Sequence, residues 1–343
     1  MRDQEISMNA KEQIVAPKQG LDDQVLDLAL RPKTFTEYIG QERTKDNLRI
    51  MIGAAQKRNE TMEHLLLHGP SGLGKTTLAY LIAKELGSSI KITSGTALEK
   101  AGDVGSILTG LSDGDVLFID EVHRLNKAVE EVIYPAMENF KLDIIIGKGT
   151  SAKTLQIELP RFTLIAATTK ISMLSSPFRS RFGVNFRLDF YRHEDIEKII
   201  SRSAKLLQIN IDRDAVNLVA LASRFTPRIA NRLLKRVRDY AQVKNHSSIN
   251  PKIAGEALAM LEIDNHGLEE TDRKILKTIA DTFNGGPVGL KAVAAAISEE
   301  EGTIEDVYEP YLIQIGFMAR TQKGRIITRQ GMKHLGIKNT FDI

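Results

Sequence analysis

The sequence predicts an α/β chain in three parts: a parallel sheet covered by helices on both faces, a small helical domain, and a C-terminal winged helix. Three observations lead there. Strand-like and helix-like stretches alternate from Leu26 to about Phe190, and every stretch from Tyr191 to Leu261 carries a helical apolar stripe. The chain then closes with three helices and two short extended runs joined by Gln322-Lys323-Gly324, a hairpin signal.

Taken in order, residues 1–24 are polar and aperiodic and read as a mobile tail, with Met8 as a second candidate start. Residues 25–191 form the sheet domain. Its strands are expected at Leu65 to Leu67, Ile90 to Thr93, Val116 to Ile119, Leu164 to Ala167 and Phe186 to Leu188, with helices including Thr76 to Leu86 and Val129 to Phe140. Residues 192–263 form the helical domain, with stripes over Asp195 to Leu207, Asp214 to Arg224, Pro227 to Val243 and Lys252 to Leu261. A polar joint, Asp264-Asn265-His266-Gly267, opens the last domain, 264–343. There Thr271 to Phe283, Leu290 to Ser298 and Ile304 to Ile315 are helical, and Phe317 to Thr321 and Arg325 to Thr328 form the wing.

Composition narrows the class. The 343 residues exceed one ordinary core, and the absence of cysteine excludes disulfides, thiolate metal sites and cysteine nucleophiles. No apolar run is long enough to span a membrane and the first twenty residues lack a signal-peptide core, so a cytoplasmic protein without a membrane partner is expected. A net charge of +3 does not by itself imply nucleic acid.

Gly69-Pro70-Ser71-Gly72-Leu73-Gly74-Lys75-Thr76-Thr77 matches the P-loop spacing without mismatch and lies between a strand and a helix. Its glycines let backbone N–H groups surround phosphate oxygens, Lys75 reaches the β- and γ-phosphates, and the Thr76 hydroxyl is an Mg²⁺ ligand. Gly72, Gly74, Lys75, Thr76 and Thr77 are therefore nucleotide-binding candidates, for a nucleoside triphosphate with Mg²⁺. Asp115 to Glu121 is a buried strand ending in two acids. Asp120 would hold Mg²⁺ through its waters, and Glu121 would polarise an attacking water, which marks a hydrolase and not a nucleotide switch. The hydroxyl at Thr169 ends another apolar strand, on the sheet edge where such folds bind ligands. Arg179 and Arg181 precede the last strand, where an arginine can enter a neighbouring subunit's site. Arg228 follows Thr226-Pro227, an N-cap with proline at the first helical position, and a cation there calls for an anionic partner.

Together these features resemble the AAA+ ATPases, a resemblance that implies ATP and Mg²⁺ as the cofactors. Further strings narrow the resemblance to the RuvB family of Holliday junction branch migration motors: Leu30-Arg31-Pro32-Lys33, Phe118-Ile119-Asp120-Glu121-Val122-His123-Arg124-Leu125, Tyr134-Pro135-Ala136-Met137-Glu138, Thr226-Pro227-Arg228-Ile229-Ala230-Asn231-Arg232 and Glu309-Pro310-Tyr311-Leu312-Ile313-Gln314. The resemblance implies that Leu30 and Arg31 contact the nucleotide and that Tyr191 lies near the base. It also implies that Glu138, Asn139 and Phe140 line the nucleotide pocket, with Thr169 and Arg228 as the two sensors. It selects Arg181, not Arg179, as the finger acting in the adjacent subunit. It further implies a homo-hexamer on DNA, a grip on RuvA through the hairpin 143–159, and a RuvC-type resolvase in the larger assembly.

In the last domain Glu299, Glu300, Glu301, Glu305, Asp306 and Glu309 make the helical part acidic, whereas Arg320, Lys323, Arg325, Arg329, Lys333 and Lys338 make the wing and tail basic. An acidic recognition helix would be repelled by a phosphate-lined groove, so backbone contact with duplex and junction DNA is expected from the wing, without reading of sequence. The resemblance points to Arg320 and Arg325; at Glu301 this chain departs from relatives that carry an arginine. The expected function is an ATP-driven ring motor that moves duplex DNA and, with RuvA, drives branch migration. An AAA+ origin initiator or loader, in which ATP only switches DNA binding, is the alternative. A helicase suggested by Asp120 to His123 would need a second RecA-like domain, and no room remains for a protease domain.

Overall fold

The computed structural model describes residues 29–146 and 153–337. The expected tail 1–24 with Met8, the hairpin tip Gly147-Lys148-Gly149, and Lys338 lie outside the described residues. The chain forms two units, Met1–Arg31 and Pro32–Ile343; in the first, Ala29 and Leu30 are helical.

The second unit contains a five-stranded parallel sheet of β1 (Leu65–His68), β2 (Ile90–Ser94), β3 (Val116–Asp120), β6 (Thr163–Thr168) and β7 (Val184–Arg187), in the order β2-β3-β6-β1-β7. The three central strands are continuous apolar runs because both faces are covered. Their side chains alternate between two cores. Leu65, Leu67, Phe118, Ile165 and Ala167 face one side, with Leu78 and Ile82 of the helix Lys75–Leu86. Leu66, Leu117, Ile119, Leu164 and Ala166 face the other, with Val129 and Ile133 of the helix Lys127–Asn139. The predicted hairpin is present as β4 (Lys141–Ile146) and β5 (Lys153–Glu158), antiparallel with Asp143 opposite Gln156.

The helices His193–Leu206, Arg213–Ala222, Pro227–Val243 and Pro251–Met260 follow, and their core joins that of the sheet face bearing Leu78. At the start of Pro227–Val243 the expected cap is altered. Thr226 occupies the N-cap position and Pro227 the first turn, but the Thr226 hydroxyl donates to the Ser223 carbonyl (3.3 Å) and leaves the helix N–H groups alone. The last part holds the helices Glu270–Asp281 and Leu290–Ile297 and a helix over 301–314, interrupted by a π turn at Ile304–Tyr308. The wing follows as β8 (Met318–Thr321) and β9 (Gly324–Ile327). A helix not foreseen in the basic tail, Arg329–His334, ends it. Thr328 caps that helix by accepting from Gly331 N (3.1 Å), so the run Arg329 to Lys333 is folded chain.

A buried ion pair fastens the last part to the helical one, and a second polar cluster locks the segment at which the last part begins. Arg224 donates Nη1 and Nη2 to the two carboxylate oxygens of Asp272 (3.1 Å each), both side chains buried, and its guanidinium lies 4.5 Å from the Tyr311 ring. Asp264 accepts from His266 N and Leu268 N (2.9 Å each) with one oxygen and meets His334 Nε2 (2.9 Å) and Arg273 Nη1 (3.8 Å) with the other. Its oxygens are thus engaged within the fold, closing the joint onto the last helix. Replacing Arg224 by Ala would leave Asp272 buried without its counter-charge. The change should lower unfolding free energy by about 3–5 kcal/mol in urea titrations. A loss below about 1 kcal/mol, the worth of an exposed pair, would show the joint to be dispensable.

Candidate functional site

The site is assembled at the carboxyl edge of the sheet. The P-loop leaves β1 and enters the helix Lys75–Leu86, and two of its glycines are dictated by neighbours. Gly72 (φ +80°) runs against the first turn of Pro227–Val243, where a Cβ would sit 3.1 Å from Arg228 Cβ. Gly74 (φ +94°) passes Tyr38, where a Cβ would come within 2.8 Å of the phenol oxygen. A side chain at either position would be strained by conformation and by crowding.

Lys75 is nearly buried, 8% exposed, and its Nζ donates to the Gly69 and Pro70 carbonyls (2.8 Å each). Burial lowers its pKa to about 8, against the opposing pull of Asp120 and Glu121. The Thr76 hydroxyl donates to Asp120 Oδ2 (3.1 Å), while Asp120 Oδ1 accepts from Glu121 N (2.9 Å). Hydroxyl and carboxylate are hard oxygen donors of the kind Mg²⁺ takes, and the two residues come together from the first turn of the helix Lys75–Leu86 and the end of β3. Thr77 is half-buried in the same first turn. Glu121 is exposed in a left-handed conformation (φ 47°), its Oε2 3.3 Å from Arg124 Nε.

Between the P-loop and the acids lies the end of β6. There Thr168 is fully buried, its Oγ1 accepting from Lys170 N (2.9 Å) and lying 2.9 Å from His123 Nδ1. Thr169 falls past the end of the strand and is exposed. Tyr191 is buried under the P-loop; its hydroxyl oxygen lies 3.3 Å from Leu73 O and 3.2 Å from Tyr38 Oη, with one proton to donate between them. Burial raises the pKa of both phenols, Tyr38 to about 12. They therefore stay neutral and brace the loop. Arg228 is exposed, reaches the P-loop at Gly72, and makes no ion pair among the described residues. Leu30 and Arg31 belong to the first unit.

Arg181 lies elsewhere. It precedes β7, whose Val184 pairs with Leu65, the first residue of β1, whereas the P-loop follows the last. The length of β1, about 13 Å at 3.3 Å per residue, separates the two edges. At that far edge Arg181 Nη2 meets Glu138 Oε1 (3.0 Å), Nη1 donates to Pro177 O (2.6 Å), and the guanidinium stacks 4.2 Å from the Tyr134 ring. Arg181 Nε is buried without a hydrogen-bond partner among the described residues. Arg181, Met137 and Phe140 line a cavity of about 280 Å³ there, and Asn139 is exposed nearby. Glu138, Asn139 and Phe140 thus gather with Arg181 and away from their own P-loop. His64 positions them: its Nδ1 accepts from Leu164 N (2.9 Å), so Nε2 carries the proton and donates to Met137 O (3.0 Å), and burial lowers its pKa.

On the wing, Arg320 and Arg325 are directly paired across β8 and β9. Arg320 is largely exposed and lies 3.2 Å from Glu305. Arg325, expected from the sequence to contact DNA, is 8% exposed and donates Nε and Nη2 to Glu309 Oε2 (3.1 and 2.8 Å). The acidic helix folds back on the wing and neutralises it.

Three family models match consecutive parts of the chain: the Holliday junction DNA helicase RuvB P-loop domain over residues 30–188, the RuvB AAA lid domain over 191–264, and the RuvB C-terminal winged helix domain over 265–336. The chain belongs to the RuvB family. Among RuvB relatives, a Holliday junction branch migration complex subunit RuvB from Dehalococcoides mccartyi is 56% identical over 327 residues, 95% of this chain and 94% of the relative. The corresponding subunit of Chloroflexus aurantiacus is 54% identical over 326 residues, 95% and 93%. A solved structure of the Thermotoga maritima RuvB Holliday junction branch migration motor superposes with a TM-score of 0.83 at 50% identity, covering 90% of this chain and 99% of that one. The AAA+ fold class read from the P-loop, the helical stripes and the wing is that of the RuvB proteins.

Several residues of this RuvB-family site escaped the sequence reading. His123 and Thr168 meet across 45 positions, and Tyr38 meets Tyr191 across 153. Gly40 carried a signal, since a Cβ there would lie 2.6 Å from the Tyr191 ring. The depressed Lys75 pKa has a consequence for phosphate ligands. As pH rises through about 8 the ammonium is lost, so nucleotide affinity should be about tenfold weaker at pH 9 than at pH 7. Titration with a fluorescent ATP analogue measures this, and a flat profile would contradict it.

Proposed function

We propose that this RuvB-family chain hydrolyses ATP with Mg²⁺ and uses the cycle to translocate duplex DNA, driving branch migration of Holliday junctions as one subunit of a hexameric ring. The observation that carries the reading is the meeting of Lys75, the Thr76–Asp120 pair and Glu121 at one sheet edge. Lys75 would turn from the loop carbonyls to the β- and γ-phosphates, and Thr76 and Asp120 would hold Mg²⁺, which neutralises phosphate charge when bound. Glu121, exposed beside this pair, would orient and deprotonate water. Thr168 and His123 would hold the strand end so that Thr169 faces the γ-phosphate. Gly72, Gly74 and Thr77 would shape the phosphate cradle, with Leu30 and Arg31 at the nucleotide. Tyr191 would act by bracing the loop near the base.

Arg228 would sense the γ-phosphate, since it abuts Gly72 and has no counter-ion among the described residues. Arg181, a strand's length from its own P-loop, would serve the neighbouring subunit's site, with Glu138, Asn139 and Phe140 beside it. Arg320 and Arg325 would contact DNA phosphates. The hairpin of β4 and β5 would grip RuvA, a RuvC-type resolvase would join the assembly, and the cytoplasm would house it. The comparisons lend the origin-initiator alternative no support.

Two experiments test the hydrolytic roles. Glu121→Gln should keep ATP binding and slow turnover by about a hundredfold or more; turnover at the parent rate would remove Glu121 as the base. Mixed rings of Arg181→Ala and Lys75→Ala subunits should regain part of the hydrolysis that each lacks alone. Failure to complement at every mixing ratio would place the Arg181 side chain outside the shared site.

A further inference from the structure

The helix over 301–314 occupies the phosphate-binding groups of the wing from within. Glu309 is 2% exposed; its Oε2 accepts both Arg325 bonds, and its Oε1 lies 3.9 Å from Arg320 Nη1 without a hydrogen-bond partner among the described residues. Glu305 Oε1 lies 3.2 Å from Arg320 Nη1 and 3.7 Å from Arg325 Nη2. Two guanidiniums directly opposite each other on a two-stranded ribbon repel. Here two carboxylates sit against them, which is where a pair of phosphates would otherwise be drawn.

The same helix is held from its other side. Glu305 and Asp306 are adjacent in the π turn Ile304–Tyr308, and their side chains diverge, Glu305 to the wing and Asp306 to Lys170 of the sheet domain. Asp306 Oδ2 lies 2.5 Å from Lys170 Nζ, with the pair about two-thirds shielded from solvent (32% and 31% exposed). Lys170 stands two residues beyond Thr168 and donates its backbone N–H to the Thr168 hydroxyl, which also meets His123, two residues after Glu121. The element that masks the arginines is therefore anchored at the edge of the sheet that carries the nucleotide-site strand ends.

We propose that the helix over 301–314 is an autoinhibitory latch on the wing: Glu305 and Glu309 stand in for DNA phosphates at Arg320 and Arg325, and the Asp306–Lys170 contact keeps the helix in that masking position. The inference rests on the reading of Arg320 and Arg325 as DNA contacts. Duplex phosphate must displace the carboxylates, so releasing the helix from Lys170 raises DNA affinity. By linkage, bound DNA weakens the Asp306–Lys170 contact in turn.

The test is duplex binding by fluorescence anisotropy with the full chain, without nucleotide, over a range of salt. Glu305→Gln removes a half-exposed ion pair and should tighten binding about threefold. Lys170→Ala should tighten it as well, although it deletes a cation; loss of positive charge alone would weaken binding. Glu270→Gln, an exposed acid of the same domain that pairs with neither Arg320 nor Arg325, should match the parent chain. The double change Arg320→Ala, Arg325→Ala should weaken binding and flatten its salt dependence. If that double variant binds like the parent chain, the DNA reading of the wing fails and the latch with it. If it weakens but either Glu305→Gln or Lys170→Ala binds no tighter than the parent, the latch alone is overturned. Tightening by Glu270→Gln equal to that of Glu305→Gln would overturn it too, by reducing the effect to overall charge.

Discussion

The placement of β6 between β1 and β3 is the constraint on which the rest depends. Its backbone pairs on one side with the strand that launches the P-loop and on the other with the strand that ends in Asp120. Because all three strands are parallel, their carboxyl ends share one edge, and Thr76 can meet Asp120 although 44 positions separate them. Both faces of these strands are buried, so a slip of one residue would exchange the sets of side chains facing the two cores. Register and site geometry are consequently held by the same packing. Arg181 is kept from this edge by the same topology, since it precedes β7 at the end opposite the P-loop.

A short segment carries the connection between the parts. Arg224 and Phe225 both adopt left-handed conformations (φ 53° each), and three sets of contacts converge on them. Phe225 O accepts from Tyr191 N (3.0 Å), Arg224 is bound to Asp272, and Tyr311 lies against both. Three residues later Arg228 touches Gly72. A change at the phosphate loop thus has a direct mechanical neighbour in the helical part, and that part is clamped to the winged one by a buried ion pair. The Lys170–Asp306 contact offers a second bridge, from the sheet edge to the helix that covers the wing.

Charge counted along the chain misleads about the wing. Arg320 and Arg325 belong to a basic run, and the acids at 305, 306 and 309 belong to a separate acidic one. Folding superimposes the two runs, so that the surface expected to be positive is largely compensated. The affinity of such a surface for phosphate is set by competition and not by the number of arginines. The tail behaves similarly: the basic residues Arg329 and Lys333 belong to the helix Arg329–His334, whose buried Met332 joins the core of the winged part.

Much of the molecule was legible without coordinates where the governing physics is local. Apolar runs of β1, β3 and β6, stripes of period 3.6 in the four lid helices, proline at the first helical turn and the spacing from Gly69 to Thr76 each arise from contacts within a few residues. They suffice for the fold class, the phosphate loop and the acid pair. The partners of those residues were not legible, because each depends on a pairing between distant segments. That Thr168 and not Thr169 is fastened at the strand end, that Tyr191 braces Leu73, that Glu138 meets Arg181, and that Arg325 is buried against Glu309 all follow from strand order and helix docking. Backbone pattern is encoded over a turn or two of chain. Which charges meet, and which remain open to a ligand, is decided only when the core brings remote segments together and desolvates them.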